Sequence, residues 1–117
     1  MNYYTTKEQA NELAKIVSTD TADMSYIDGV ATVKPYTKAM IYIEQYNEIL
    51  PCWSAGRILY LLPSVIEVDG IEYHPLWEKK VGWILTYEDD RNVLMFKVGD
   101  LIEISIAMLK DLKEEKS

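Results

Sequence analysis

Several residue types are scarce in this chain of 117 residues, and each scarcity excludes something. There is one cysteine, Cys52, so no intramolecular disulfide can form. A secreted domain of this size often relies on disulfide staples, so their absence favours a reducing, cytoplasmic setting. With one histidine and one cysteine, the chain cannot assemble a structural zinc site from soft ligands. Five scattered glycines form neither a phosphate-binding loop nor a dinucleotide fingerprint. Basic residues are outnumbered, 12 Lys and Arg against 19 Asp and Glu, for a net charge of −7. Phosphate binding draws on neutralising cations, so direct nucleic-acid binding is disfavoured. The longest apolar runs, such as Ile58–Leu62, fall far short of the ~20 residues of a membrane span. The N-terminal stretch Met1–Glu8 has neither the basic nor the apolar region of a signal peptide.

What is present reads as an ordinary core. Apolar residues make up 49% of the chain, enough to offset the ordering entropy of folding. A first helix is expected near Lys7–Val17. Thr5 or Thr6 can cap it, and Glu8 lies at capping-box spacing from Thr5. Met24–Ile27 and Val30–Val33 flank the turn dipeptide Asp28-Gly29 as short strands. Residues 39–50 fit helix and strand equally and stay open. A second helix is expected over 54–62, capped by Ser54, apolar nearly all round and ended by Pro63.

The β signal is strongest in the second half. Val65–Val68 and Ile71–His74 flank Asp69-Gly70, the pattern of a two-residue hairpin. Val81–Tyr87 and Val93–Val98 read as further strands around the polar loop 88–92. A last helix is expected from an Asp100 cap, although Ile102, Ile104, Ile106 and Met108 also alternate like a strand. The expectation is a single α+β domain over residues 1–117: two layers, with a small antiparallel β-meander packed against two or three helices.

No motif specifies chemistry. Cys52, His74 and Asp69 are the residue types of a nucleophile, base and orienter, but nothing in their spacing brings them together. Asp20 and Asp23 read as cap or turn residues, and Glu88, Asp89 and Asp90 as a solvated loop, so no catalytic, cofactor or metal site is expected. Nine Tyr and three Trp are the least ordinary feature, since these residues dominate binding hot spots. Tyr73, Trp77, Trp83 and Tyr87 cluster on the meander. With Asp23 they form the candidate partner-binding set.

Three short boxes carry a resemblance: Thr21-Ala22-Asp23-Met24, Pro51-Cys52-Trp53-Ser54 and Leu61-Leu62-Pro63. They resemble small proteins of prophage-like and mobile regions in gut Bacteroidetes genomes. The resemblance implies a bacterial or phage cytoplasmic setting and no assigned activity. The boxes also have a plain structural reading, with Trp53 as a core plug, Ser54 as a helix cap and Asp23 as a turn acceptor. The functional expectation is a non-enzymatic, acidic accessory or inhibitor module. It would bind a protein partner, with a basic surface or a homodimer as the candidate partners. The rival expectation is a small-molecule site or hydrolase-like pocket at the meander, using His74, Trp77 and Trp83.

Overall fold

The computed structural model describes residues 3–116, with side chains through Glu114. Met1 and Asn2, at the start of the stretch read against a signal peptide, lie outside those residues. So do the side chains of the charged C-terminal end beyond Glu114. The α+β class and the antiparallel meander are both present. The contacts divide the chain into two compact units, Met1–Leu59 and Tyr60–Ser117.

The first unit opens with helix α1 (Lys7–Ala14), and the residue that caps it is Thr6. The Thr6 hydroxyl accepts from the Gln9 N–H at 3.1 Å, and the Gln9 side chain accepts from the Thr6 N–H at 3.0 Å. The expected Thr5–Glu8 pair does not form, because Thr5 is buried and its hydroxyl accepts from the Trp53 N–H. Strands β1 (Met24–Ile27), β2 (Val30–Thr32) and β3 (Ile49–Cys52) form a sheet with β1 at its centre. Asp28-Gly29 joins β1 to β2 with both residues at positive φ, as a primed two-residue turn requires.

The ambiguous middle becomes a one-turn helix α2 (Tyr36–Ala39) and a 3₁₀ segment, Met40–Gln45, kinked at Tyr42. Its apolar pattern finds no surface, and Ile41 through Glu48 are exposed. The segment is tied down instead by Asp28, whose Oδ1 accepts from the N–H groups of Asn47 and Glu48.

Helix α3 (Ala55–Leu61) follows its Ser54 cap as expected. It is not buried all round: Ile58 is enclosed, while Tyr60 is 79% exposed.

The second unit is a four-stranded antiparallel meander followed by one long helix. Strands β4 (Ile66–Val68), β5 (Ile71–Lys79), β6 (Trp83–Glu88) and β7 (Val93–Gly99) pair in sequence order. Asp69 and Gly70 both take positive φ in the expected two-residue turn. Helix α4 (Leu101–Lys116) starts where Asp100 accepts from the N–H groups of Ile102 and Glu103. The capping signal therefore prevails over the strand-like alternation of its isoleucines. Ile102, Ile104, Ile106 and Met108 are buried, and Lys97 on β7 pairs with Asp111 on α4.

Candidate interaction site

Alternation along the meander strands decides what each side chain can reach. The register aligns Pro75 with Tyr87 and Met95, and Trp77 with Leu85 and Lys97. The ion pair between Lys97 and Asp111 marks this as the face that α4 covers. Tyr73 lies on the same face, and Leu85 and Tyr87 are wholly buried there. Trp77 and Trp83 meet edge to face, 6.0 Å between ring centroids. Two members of the expected aromatic patch, Tyr73 and Tyr87, are thus core residues, and the four do not form an exposed face. All four lie on one face of the sheet, and alternation along a strand could not say which face the helix would take.

Burial has a chemical consequence for Tyr87. Its hydroxyl donates to the Pro63 carbonyl at 2.7 Å, and enclosure pushes its pKa up to about 12 from 10. Folded Tyr87 therefore keeps its proton where the unfolded chain has begun to lose it. The stability it contributes is intact below pH 10 and is lost as the pH climbs through about 12. Tyr87→Phe should flatten this alkaline loss and cost about 1 kcal/mol at neutral pH, read by urea unfolding across a pH series. An unchanged alkaline limb would show that Tyr87 is not the group responsible. Tyr26 is raised in the same direction, first by its own burial, so part of the alkaline loss remains in the variant.

Among the described residues of the second unit, no helix covers the opposite face of the meander. Three cross-strand rows cover it: Glu78, Ile84 and Val98; Leu76, Thr86 and Phe96; His74, Glu88 and Val93. Phe96 and Val98 are 64% and 62% exposed, and Leu76 is 43% exposed. Every formal charge at the paired strand positions of this face is negative, from Glu67, Glu72, Glu78 and Glu88, because Lys79 and Lys97 point the other way. The sequence reasoning missed these residues. The available signal was that β7 reads Val93-Leu94-Met95-Phe96, apolar on both faces, while only one helix follows it.

At one end of the open face lies an open cleft of about 250 Å³, lined by His74, Pro75, Leu76, Glu88, Asp89 and Asp90. His74 approaches Glu72 at 3.9 Å, and both are well exposed. Asp89 is engaged in its own turn, accepting from the N–H groups of Arg91 and Asn92. His74 stands on the face opposite Trp77 and Trp83, so the pocket expected from those three residues is not assembled. Among the described residues, no cluster of His, Cys, Asp and Glu could hold a metal ion. No buried side-chain polar atom lacks a partner there either.

The remaining candidates sit in the first unit. Cys52 is fully buried, and burial raises its thiol pKa, the reverse of what an activated nucleophile needs. Its sulfur lies within 3.6 Å of the Thr5 hydroxyl. The Tyr26 hydroxyl donates to the Thr5 carbonyl at 2.6 Å. Asp23 faces no open surface site with its carboxylate: one oxygen accepts from the Ser54 N–H at 2.9 Å, the other from the Ser54 hydroxyl at 2.5 Å. Trp53 Nε1–H donates to the Thr21 hydroxyl at 2.9 Å, and Met24 pairs with Cys52 across the sheet. The first two boxes are therefore two sides of one structural joint.

No protein-family model, no curated protein and no solved structure matches this chain. The resemblance drawn on the three boxes rests on those residues alone. Among the described residues, no helix is long and apolar enough to cross a membrane.

Proposed function

We propose that this chain is a non-enzymatic protein-binding module that docks a basic partner on the open face of its meander. The observation that carries the reading is the combination on one sheet face of exposed Leu76, Phe96 and Val98 with charges of one sign. An uncovered apolar patch rimmed by polar groups is the usual mark of an interaction surface. The uniform negative rim sets the partner's sign: a basic surface gains from the pairing, whereas a like-charged one is repelled. An accessory or inhibitory role encoded by a phage or mobile element fits a small module of this kind. The resemblance of the three boxes supports that setting.

The test is capture of partners by the tagged chain at low and moderate salt, beside a Phe96→Ser/Val98→Ser double variant. Both substituted side chains are largely exposed, so the variant should keep the parent circular dichroism and unfolding midpoint. A basic protein held at low salt, weakened at moderate salt and lost from the double variant is the expected result. Equal capture by parent and variant, or no salt-sensitive partner for either, overturns the reading.

A further inference from the structure

The two edges of the meander are not equally protected. Strand edges expose unpaired N–H and C=O groups, and proteins blunt them with shortness, proline, bulges or charge. On one side β4 is three residues long. Beyond it, the continuation of β5 carries Pro75, which has no N–H to offer. On the other side, β7 ends the sheet with no strand beyond it among the described residues. A register shift leaves Leu94 unmatched and bulges the start of β7. The run Met95–Gly99 is then regular, about 16 Å long, and contains no proline. Its one charge, Lys97, is held by Asp111 on the helix-covered side and does not guard the edge. On the open face the column along this edge is wholly apolar: Val93, Phe96 and Val98.

Charges bracket this strand at both ends. Glu88, Asp89 and Asp90 precede it and Asp100 and Glu103 follow it, against Arg91 in the same flanks. We infer that β7 is a strand-addition site for an extended segment of the partner, apolar at alternate positions and flanked by Lys or Arg. The inference rests on the protein-binding reading and names how the partner is held. Main-chain hydrogen bonds to the free edge would supply register. Apolar side chains would lie beside Phe96 and Val98, and basic ends would meet the acids. A second copy of this chain is the poorer occupant. Antiparallel pairing of two β7 strands would set Asp89 and Asp90 of one copy against Asp100 and Glu103 of the other.

The probe is a synthetic peptide alternating valine and threonine between terminal lysines, titrated into the full chain. Amide exchange and chemical shifts are followed by NMR. With peptide at about ten times its Kd, exchange at outward-facing amides between Met95 and Gly99 should slow by about tenfold. A glutamate-flanked peptide should leave it unchanged. A lysine-flanked peptide N-methylated on alternate residues should lose the effect, because it cannot donate to the edge. If the methylated peptide binds equally and perturbs Leu76 and Ile84, strand addition is wrong while face docking survives. If no peptide protects β7, strand addition is overturned. The double variant of Phe96 and Val98 then decides separately whether the binding reading falls with it.

Discussion

Trp53→Ala should lower the unfolding free energy by about 3–5 kcal/mol, a large share of the 5–15 kcal/mol that holds a typical domain together. Trp53 is fully buried and is the largest side chain in the molecule with no solvent contact. Its Nε1–H is satisfied by the Thr21 hydroxyl at 2.9 Å. Truncation would leave a cavity and orphan one partner of a hydrogen bond. It would not remove the backbone exchange in which the Thr5 N–H donates to the Trp53 carbonyl, so the N-terminal segment keeps its register. Trp53→Phe should cost less, because most of the volume stays and the donor alone is lost. Urea unfolding of the three proteins, followed by far-UV circular dichroism, checks the order. A loss below about 1 kcal/mol for the alanine variant would show that the site collapses around the missing ring.

Asp23→Ala should cost roughly 2–3 kcal/mol, the range for removing a charged acceptor from two hydrogen bonds in a partly buried place. The reason lies in the single proton of the Ser54 hydroxyl. Ser54 donates that proton in a hydrogen bond to Asp23, which leaves the oxygen's lone pairs free to accept from the Arg57 N–H at 3.1 Å. Asp23 thus orients the residue that caps α3, besides binding the Ser54 N–H itself. Ser54→Ala should cost about 1 kcal/mol, as lost N-caps do. The double variant should lose less than the two single losses combined, since both remove the same interaction. Strict additivity in the same urea series would mean that Asp23 and Ser54 act independently, and the joint would not exist.

These two residues also explain why the boxes were legible as words but not as a mechanism. Thr21, Asp23, Trp53 and Ser54 look like separate cap, turn and core residues when read along the chain. Strand β1 pairing with β3 brings Met24 opposite Cys52 and so places the residues beside them within hydrogen-bonding reach. A contact between positions about thirty apart in sequence leaves no periodic trace. Only the pairing makes it.

What the sequence determined on its own was local. The two Asp-Gly turns, the Ser54 and Asp100 caps, the Pro63 stop and the order of the meander strands all follow from preferences acting within a few residues. The α+β class followed from their order. Tertiary structure decided which face of each strand is inside. Period two separates Trp77 and Tyr87 from Leu76 and Thr86, but each set mixes apolar and polar side chains, with Lys79 and Lys97 beside the first and Glu78 and Glu88 beside the second. One helix, α4, covers one face only. Its side of the sheet became interior and took the tyrosines into it, while Leu76, Phe96 and Val98 were left to solvent. The candidate interaction site is thus the face that no described helix of the second unit covers. That asymmetry comes from how many covering elements the fold has, a property of the packed layers that no single strand carries.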